Sequence, residues 1–377
     1  MSVDSVVVVG GGLVGLAVAY GLACSGAKVR LLDEGDRAWR AARGNFGLVW
    51  VQGKGYGNPE YARWTRTSSV LWPQLAKDLL HATDINVQLR QPGGFLLCLS
   101  DAELAEESER LRWLHEALDG DYPYEVLDPV SLRRRLPGVG PDIVGACYSP
   151  ADGHVNPLLL LRALSVAAQK RGVMIETGRH VTGITRSGDG YCLEGTTQQW
   201  LADKVVLAAG LGNQTLAAQV GLDVPVKPNR GQILVTERIA PFLDYPTNYV
   251  RQTAEGSVQL GDSHEAAGLN DDTSVSVMAE LARRAVTCFP RLAGINVVRA
   301  WGALRVLSPD GYPIYQQSVD CPGVYAVTCH SGVTLAAAHV YRIAPWIAGG
   351  EAPSGLEVFS DRRFAASPPD NGASHVQ

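Results

Sequence analysis

The sequence predicts an α/β protein of two domains, one built on a parallel sheet and the other, of the α+β type, on a mostly antiparallel sheet. Three stretches of the 377-residue chain carry this prediction. Val6–Gly15 joins a four-valine run to a glycine-rich turn, and Lys204–Gly210 is a second apolar run that ends in small residues. From Val224 onward, short stretches alternate apolar and polar residues, as antiparallel strands with one buried face do. The length of the chain also favours two domains.

The first strand, glycine turn and helix have the pattern of a dinucleotide site. Val6–Val9 is β-branched and fully apolar, which is typical of a parallel strand buried on both faces. Gly10, Gly12 and Gly15 then have the spacing G-x-G-x-x-G. In such sites they allow a tight turn, the approach of a pyrophosphate and close helix packing, and the helix N-terminus suits phosphate. We therefore predict a Rossmann-like dinucleotide-binding domain; a glycine turn in an ordinary βαβ unit is the alternative.

An acidic strand end and a loop of small residues follow this unit. The apolar stretch 27–34 is typical of a second strand, and its last residues are Asp33 and Glu34. An acid about 20 residues beyond the glycines accepts hydrogen bonds from ribose hydroxyls in dinucleotide sites. The loop Ala41–Gly47 has small residues around its glycines, which suits a backbone that passes close to a flat or bulky group. A plain surface loop is the alternative.

Periodicity and capping residues predict the remaining elements. Helices are expected at 61–80, 100–118, 131–136, 158–171, 275–289 and 333–347. Strands are expected at 93–99, 173–176, 181–184, 225–237, 248–253, 257–262 and 324–327. Ser100 and Glu103 are expected to form a capping box at the start of the second of these helices. Asp152–His154 is expected to be a turn, and Trp301–Arg305 is expected to return towards the first domain.

We expect a discontinuous cofactor domain and a substrate-binding domain. The first comprises residues 1–50, 145–222 and 295–365, and the second comprises 51–144 and 223–294. This division follows from the return of β-α-β order at Lys204–Gly210 after an inserted segment. The polar, proline-containing tail 366–377 is expected to be disordered.

The composition argues against several classes of protein. A formal net charge of -5 argues against a nucleic-acid partner, which shows as a basic excess. No apolar run reaches the ~18–20 residues that span a bilayer, and no secretory signal pattern begins the chain. We therefore expect a cytoplasmic protein with no membrane span. The seven cysteines, none in C-x-x-C spacing, predict reduced thiols and no metal site.

Together these motifs resemble the FAD-dependent D-amino acid oxidase, glycine oxidase and sarcosine oxidase family over nearly the whole chain. The motifs beyond the dinucleotide pattern are Ala41–Gly47, Val205–Gly210 with Gly212, Pro228–Gln232, Leu304–Pro313 and His330–Gly332. Within the family, residues 225–238 look most like the flavin subunits of opine oxidase, bacterial cyanide synthase and D-hydroxyproline dehydrogenase. The resemblance implies FAD rather than NAD. Because no cysteine stands at an obvious flavin-linking position, the FAD is expected to be non-covalent.

The resemblance also implies which residues contact the cofactor. They are Gly10, Gly12, Leu13, Val14, Gly15, Asp33, Glu34, Ala42, Arg43, Gly44, Asn45, Phe46, Gly47, Leu48, Val181, Ala209, Gly210, Gly212, Gly302, Arg305, His330, Ser331, Gly332, Val333 and Thr334. In the family the backbone at Val181 contacts the adenine. The turn Gly332–Thr334 lies at the pyrimidine end of the flavin, where a helix N-terminus stabilises negative charge on the reduced ring.

Four residues are the candidates for substrate binding and catalysis: Arg305, Tyr249, Arg251 and His330. Arg305 matches the carboxylate-binding arginine of the family, and a guanidinium binds a carboxylate through two parallel hydrogen bonds. A structural ion pair is its alternative. Tyr249 matches a pocket tyrosine, and Arg251 would share its strand face and offer a cation to a second substrate carboxylate; a solvated arginine is the alternative. His330 is either near the flavin or a packed histidine, and Lys54 and His264 are expected to be structural.

The reaction that the resemblance implies is oxidation of the C–N bond of an amino acid or N-substituted amino acid. The neutral amine would lose its α-hydrogen as hydride to FAD, and the imine would hydrolyse. No general base stands out, and such a site needs orientation more than an acid–base pair. Val306–Leu307 after Arg305, where relatives have Pro-Gly, and Arg43 in the small-residue loop depart from the family pattern. They leave the substrate open among D-amino acids, glycine-type substrates, D-hydroxyproline and opines.

Three roles remain open at this point. The chain is expected to be the catalytic flavin subunit of a hetero-oligomeric dehydrogenase that passes electrons to partner subunits. The first alternative is a stand-alone oxidase that uses O₂ and produces H₂O₂. The second is a flavoprotein without catalytic activity that serves in assembly. Neither a nucleic acid nor a membrane span is expected in any of them.

Overall fold

The structure of the chain is a computed structural model that describes residues 5–35 and 41–364. The expected disordered tail 366–377 lies outside the described residues. The strands are β1 (Ser5–Val9), β2 (Lys28–Asp33), β3 (Leu48–Val49), β4 (Gly94–Cys98), β5 (Glu125–Leu127), β6 (Gly145–Ser149), β7 (Gly153–His154), β8 (Met174–Thr177), β9 (Val181–Ser187), β10 (Gly190–Gly195), β11 (Gln199–Ala202), β12 (Lys204–Leu207), β13 (Lys227–Arg238), β14 (Val250–Gln252), β15 (Ser257–Leu260), β16 (Val297–Leu307), β17 (Ile314–Gln317) and β18 (Val324–Thr328).

The helices lie close to the positions that periodicity predicts. They are α1 (Leu13–Cys24), α2 (Pro59–Thr83), α3 (Asp101–Ala117), α4 (Pro129–Arg135), α5 (Pro157–Lys170), α6 (Asn213–Ala218), α7 (Val275–Cys288), α8 (Ala336–Ala338) and α9 (Ala344–Ile347). A π-helical turn, His339–Ile343, joins α8 to α9. The Ser100 half of the predicted capping box is confirmed, since Ser100 Oγ accepts a hydrogen bond from Glu103 N over 3.2 Å, whereas Glu103 Oε2 accepts from Leu99 N, one residue before the N-cap. No helix in the ranges 5–35 and 41–364 has the length and apolar character needed to cross a bilayer.

A six-stranded sheet in the order β17-β18-β12-β1-β2-β8 carries the glycine turn. β1 pairs in parallel with β2 on one side and with β12 on the other, and β17 is the strand that runs antiparallel to its neighbour. Val6 and Val8 share a core with α1 and α5, whereas Val7 and Val9 share one with the sheet β9–β11. The four-valine strand is therefore buried on both faces, as its composition predicts.

A second sheet is antiparallel and has the order β14-β15-β13-β16. Its longest pairing, between β13 and β16, sets Asn229 opposite Arg305. The small sheet β4-β6-β5 shares a core with it, to which Phe95, Leu234 and Leu281 contribute. This part of the molecule has the predicted α+β character, with α4 and α7 packed beside antiparallel strands.

Two strand pairings cross the expected domain boundaries. The ranges 145–222 and 295–365 were expected in the cofactor domain, but β6 pairs with β4 and β16 pairs with β13. Trp301–Arg305 therefore belongs to the antiparallel sheet. Both pairings join segments that are far apart in the chain, which local periodicity does not reveal. The rest of the division stays a prediction.

The expected turn at Asp152–His154 is wrong. Gly153–His154 forms β7 and pairs with Leu48–Val49 of β3. Asp152 and His154 are 0% and 5% exposed. A Cβ at Gly153 would clash with the carbonyl oxygen of Arg90, so the missing side chain allows this segment to pack inside the protein. The segment thereby brings two titratable side chains into the interior.

Candidate functional site

The glycine turn after β1 has two positions required by packing and one that is open. Gly10 has a φ of +109°, and a Cβ there would clash with Ala208 O. A Cβ at Gly15 would clash with Gly10 O, because α1 packs directly on the turn. At Gly12 the nearest neighbour of a Cβ would be Ala42 Cβ at 3.7 Å. Gly12 therefore leaves space beside the backbone, which fits the approach of a pyrophosphate.

The N-terminus of α1 meets the turn that precedes the last helix. Gly12 is the N-cap of α1, and no side chain of the described residues caps this end. The N–H groups of Leu13–Gly15 therefore have no partner within the helix and can bind phosphate oxygens. A Cβ at Gly332 would lie 3.6 Å from Val14 Cγ2. Two predicted cofactor segments from opposite ends of the chain thus lie side by side.

Asp33 ends β2 and binds the glycine turn. Its Oδ2 accepts a hydrogen bond from Gly11 N over 2.7 Å, and its Oδ1 accepts one from Gly35 N over 2.9 Å. Each carboxylate oxygen keeps a further lone pair for a ribose hydroxyl. A cavity of about 420 Å³ beside it is lined in part by Gly11, Asp33 and Arg43. Asp33 and Arg43 thus line one cavity, and their contact with a nucleotide stays a prediction.

The small-residue loop lies between the glycine turn and β16. Ala42 is the neighbour of Gly12, and a Cβ at Gly44 would clash with Ala303 Cβ. Trp301 Nε1 donates to Gly44 O over 3.3 Å. The loop thereby contacts both the parallel sheet's glycine turn and the antiparallel sheet, and its glycine allows the close approach to β16.

Arg251 is 3% exposed and holds this loop from within the protein. Its Nε donates to Phe46 O and to Gln259 Oε1, the latter over 2.8 Å, and its NH1 lies 3.2 Å from His154 Nδ1. Burial lowers the pKa of Arg251 to about 10 and the pKa of His154 to about 3, so the imidazole is neutral. Arg251 is not the solvated arginine of the alternative interpretation, and its role towards a second substrate carboxylate stays a prediction.

Asp152 is a buried carboxyl group beside the loop. It accepts hydrogen bonds from Val51 N over 2.5 Å and from Gln52 Nε2 over 2.6 Å. Burial raises the pKa of Asp152 to about 7, although these hydrogen bonds and the charge of Lys54 oppose the rise. The group therefore titrates near neutral pH.

Lys54 and His330 meet at the turn before the last helix. Lys54 Nζ donates to Ser331 Oγ over 2.8 Å. Burial lowers the pKa of Lys54 to about 8, and the charge of Asp152 opposes this. Burial, together with the charges of Lys54 and Arg305, lowers the pKa of His330 well below its ordinary value. His330 is thus neutral and lies within the electrostatic influence of both cations.

Arg305 has three acceptors within the chain. Its NH1 donates to Asn229 Oδ1 over 2.9 Å and to Ser263 O over 2.7 Å. Its NH2 donates to the carboxylate of Asp262. The Arg305 side chain is 14% exposed, and these three partners hold its guanidinium in one orientation. Arg305 therefore forms an ion pair with Asp262, as the alternative interpretation of Arg305 expects. Its predicted binding of a substrate carboxylate stays a prediction.

The pleat of β16 places Arg305 on the strand face that contacts the small-residue loop. Trp301, Ala303 and Arg305 alternate along the strand and project from one face, and the first two contact Gly44. Gly302 faces the other side, where a Cβ would clash with Asp271 O. Packing therefore requires Gly302, and its contact with a cofactor stays a prediction.

Tyr249 contacts Glu103 and Arg284, which are not partners of Arg251. Its hydroxyl donates to Glu103 Oε1 over 2.9 Å, and Arg284 Cζ lies 4.1 Å from its ring centroid. Arg284 NH2 in turn donates to Asp262 O over 2.8 Å. Burial and the charge of Glu103 raise the pKa of Tyr249. Tyr249 and Arg251 therefore have separate sets of partners, although they are two residues apart.

The remaining predicted cofactor residues lie at strand ends or in the turn after β18. Ala209–Gly212 follows β12, where Asn213 Oδ1 accepts a hydrogen bond from Ala209 N over 2.7 Å. Val181 begins β9, and Glu34 Oε2 lies 3.0 Å from His180 Nδ1. Thr334 is buried, with its Oγ1 accepting from Trp50 N over 3.1 Å. Their contacts with a cofactor stay predictions.

Sequence reasoning missed Asp262 and Asp152 as site residues and gave Glu103 a capping role alone. Asp262 ends the alternating stretch 257–262, and His264 follows two residues later. This pair of titratable residues is the local sign of a charged cluster. Its contact with Arg305 arises because β13 pairs with both β15 and β16. That arrangement follows from long-range register and not from any local pattern.

The arrangement fits FAD. The open position at Gly12 and the uncapped start of α1 suit a pyrophosphate, Asp33 suits a ribose, and Gly332 extends the site past α1. The loop from Ala42 to Gly47 and the turn at His330 form a further surface, against which a flavin ring would fit. This surface lies beside Arg305, so a substrate carboxylate and a flavin can share the site.

Comparisons with known proteins agree with this fit. Residues 5–344 match the model of the family DAO, described as FAD dependent oxidoreductase. The chain is 44% identical over 360 residues to one of the subunits of opine oxidase from Rhizobium meliloti, an alignment that covers 95% of this chain and 97% of that protein. It is 28% identical over 379 residues to glycine oxidase of Pseudomonas putida, covering 96% and 95%.

A solved structure has the same fold. Glycine oxidase from Geobacillus kaustophilus superposes with a TM-score of 0.87 at 24% identity, covering 95% of this chain and 98% of that one. At this identity the likeness concerns the fold. It confirms the predicted combination of a Rossmann-like sheet with a mostly antiparallel one.

Proposed function

This chain belongs to the DAO family of FAD dependent oxidoreductases, and from that membership we propose that it oxidises the C–N bond of an amino acid or N-substituted amino acid. The candidate substrates are D-amino acids, glycine-type substrates, D-hydroxyproline and opines. Similarity to proteins named as opine oxidase subunits and as glycine oxidase supports this class. The observation that carries the proposal is the position of Arg305 on the face of β16 that contacts the small-residue loop.

Arg305 is suited to bind the substrate carboxylate. Asn229 and Ser263 occupy its NH1, while its Nε–H and the remaining N–H of NH2 have no partner among the described residues. An Nε–H and an N–H of NH2 on one edge of a guanidinium bind a carboxylate through two parallel hydrogen bonds. Because the side chain is mostly buried, a carboxylate bound there would gain more than at an exposed arginine.

The other residues of the site favour orientation over proton transfer. A bound FAD supplies the oxidising chemistry. Arg305 fixes the carboxylate, so the adjacent carbon and nitrogen take one position relative to the small-residue loop. The neutral ring of His330 adds no charge that would repel an amine. The oxidised substrate is an imine, which hydrolyses in water.

Anaerobic reduction of the bound flavin tests this proposal. The holoenzyme is mixed without oxygen with D-amino acids, glycine, sarcosine, D-hydroxyproline and opines, and the flavin absorbance is followed. We expect at least one of these amines to bleach the flavin, and Arg305→Ala to slow the bleaching by that amine. If no amine in the panel reduces the flavin of the wild type, the proposal is wrong.

We further propose that the chain acts as the catalytic flavin subunit of a hetero-oligomeric dehydrogenase. The support is its 44% identity to proteins that are named as subunits of opine oxidase. A stand-alone oxidase is the second candidate, which the similarity to glycine oxidase favours. A flavoprotein without activity is the third, and the site around Arg305 argues against it.

The electron acceptor separates these candidates. The purified chain is supplied with the amine identified above, and the rates of dye reduction and of peroxide formation are compared. If the chain works within a larger dehydrogenase, we expect dye reduction to be the faster. Rapid, stoichiometric production of peroxide by the chain alone would support the oxidase and contradict the proposed dehydrogenase role.

A further inference from the structure

Asp262 and Arg305 form an ion pair inside the candidate site. The NH2 group of Arg305 donates to Asp262 Oδ2, and the acid is the more exposed partner, at 33% against 14%. The backbone of Asp262 is also held, because Arg284 NH2 donates to its carbonyl oxygen over 2.8 Å. The carboxylate therefore has a fixed position beside the arginine and remains in contact with solvent.

The second oxygen of Asp262 has no hydrogen-bond donor within residues 5–35 and 41–364. Its neighbour is His264 Nε2 at 3.6 Å, which exceeds hydrogen-bond distance. Burial lowers the pKa of His264, although the charge of Asp262 opposes this shift. Burial disfavours the charge of Asp262, but Arg305, His264 and Arg284 outweigh it and the pKa of Asp262 lies below its ordinary value. Asp262 thus presents a charged acceptor oxygen.

A cation and an anion held side by side are complementary to an amino acid, in which a carboxylate and an amine are joined through one carbon. We propose that Asp262 binds the nitrogen of the substrate while Arg305 binds its carboxylate. In this arrangement the substrate carboxylate takes the Nε–H and the remaining NH2 hydrogen of Arg305. The substrate N–H donates to Oδ1 of Asp262. The inference rests on the proposed function and adds to it the group that recognises the amine.

The pair then selects a class of substrate. A carboxylic acid without nitrogen would meet the charge of Asp262 next to Arg305 and bind weakly. Primary and secondary amines both keep an N–H for Asp262, so amino acids and N-substituted amino acids fit. A tertiary amine fits only in its protonated form. The competing explanation is that Asp262 merely occupies Arg305 until any acid displaces it.

Pairs of probes that differ only at the nitrogen separate these explanations. Glycine is compared with propionate, sarcosine with butyrate, and iminodiacetate with glutarate, since each acid has a methyl or methylene carbon in place of the nitrogen. Binding to the FAD-loaded protein is measured without oxygen by calorimetry and by the change in flavin spectrum. The quantity of interest is the ratio of dissociation constants within each pair, for the wild type and for Asp262→Asn.

We expect the wild type to prefer the amine in at least one pair. Asp262→Asn should reduce that preference on the order of tenfold, as the loss of one charge-assisted hydrogen bond would. The nitrogen-free acid should bind the variant more tightly, because Arg305 loses its internal anion. If Asp262→Asn tightens both members of a pair equally, Asp262 only competes for Arg305 and the inference is wrong.

Two further variants keep the test decisive. Glu265→Gln removes a matched ion pair with Arg230 of β13, whose NH2 lies 2.6 Å from the acid, and it should leave the preference unchanged. Asp262→Glu keeps the charge and should retain part of the preference, even if Asp262→Asn is less stable. If the wild type binds none of the amines, the proposed function fails with the inference. If it binds them and the preference does not depend on Asp262, the inference alone fails.

Discussion

The Tyr249 hydroxyl donates a hydrogen bond to the carboxylate of Glu103, with 2.9 Å between Oη and Oε1. The other oxygen of Glu103 accepts a hydrogen bond from Leu99 N over 2.7 Å. One acid therefore fixes both the start of α3 and a tyrosine that contacts Arg284 of the candidate site. The capping motif thereby connects the stability of α3 to the geometry of the pocket.

We expect Tyr249 and Glu103 to be energetically coupled. A double-mutant cycle with Tyr249→Phe, Glu103→Ala and the double variant should give a coupling of roughly 1–2 kcal/mol in the free energy of unfolding, because each single change leaves a partly buried polar group unpaired. Denaturant unfolding measures it. Asp101→Ala, an exposed acid in the same helical turn, should be additive with Tyr249→Phe. Additivity of Glu103→Ala with Tyr249→Phe would contradict the coupling.

Arg305 should determine the preference for acids. We expect Arg305→Ala to lower kcat/KM for a carboxylated amine on the order of 10²-fold, as the loss of a charge-assisted bidentate interaction would. Arg305→Lys should recover only part of the activity, since lysine keeps the charge without the fork. Steady-state kinetics on the acid and its ester check this. If wild type and Arg305→Ala prefer the acid over the ester by the same ratio, Arg305 does not bind the carboxylate.

The elements with strong local patterns were predicted correctly, whereas the contacts between distant segments were not. The four valines of β1, the glycine spacing and the cap at Ser100 each depend on neighbours in sequence, and the structure has all three. The pairing of β16 with β13 depends on register across the sheet, which periodicity cannot supply. For that reason the sequence did not show that Trp301–Arg305 pairs with β13.

Candidate site residues could be named only where a motif marks them. Resemblance named Arg305 as a candidate but did not name its partner Asp262, because their contact depends on how β15 and β16 both lie near β13. The segment Asp152–His154 has the composition of a turn, and only the close approach of Gly153 to Arg90 buries it. Arg251 was found as a cation, while its partners Phe46 and Gln259 belong to other segments.

Arg251 should stabilise the small-residue loop. We expect Arg251→Met to lower the free energy of unfolding on the order of 2 kcal/mol, because Phe46 O and Gln259 Oε1 lose a buried donor, and to speed FAD dissociation. Arg238→Met, an exposed arginine on β13, is the control and should change neither. Thermal unfolding and FAD release measure these effects. If Arg251→Ala instead impairs iminodiacetate much more than sarcosine and leaves FAD retention unchanged, the cation serves a second substrate carboxylate.

Asp152 should make stability depend on pH between its ordinary pKa and its pKa in the fold. Burial raises this pKa from 3.8 to about 7, so the folded protein holds the proton more tightly than the unfolded chain. Its contribution to stability is full below about pH 4 and is lost as pH rises to about 7, at no more than about 1.4 kcal/mol per pH unit.

We therefore expect Asp152→Asn to show a smaller loss of unfolding free energy than the wild type across this range. Denaturant midpoints at several pH values measure the difference. Asp142→Asn, a change at an exposed position, should leave the pH dependence as in the wild type. Parallel curves for the wild type and Asp152→Asn would show that Asp152 does not titrate in this range.

The glycine turn allows folding and cofactor binding to be tested separately. A Cβ at Gly12 would meet only Ala42 Cβ at 3.7 Å, an ordinary contact, whereas a Cβ at Gly15 would clash with the backbone of Gly10. We expect Gly12→Ala to fold with a thermal midpoint close to that of the wild-type apoprotein but to lose FAD. Gly15→Ala should be destabilised with or without FAD, because the backbone of the turn cannot move away without losing the packing of α1 on β1.

The measurement is FAD content after gel filtration, with circular dichroism to monitor the fold. Asp33→Ala should also weaken FAD retention, since Asp33 both holds Gly11 and offers acceptors to a ribose. Acid denaturation of the wild type should release free FAD into the supernatant, as expected for a non-covalent cofactor; colour that stays with the precipitate would contradict this. If Gly12→Ala retains FAD as well as the wild type, the space beside Gly12 is not where the pyrophosphate binds, because an added methyl group there would have to displace it.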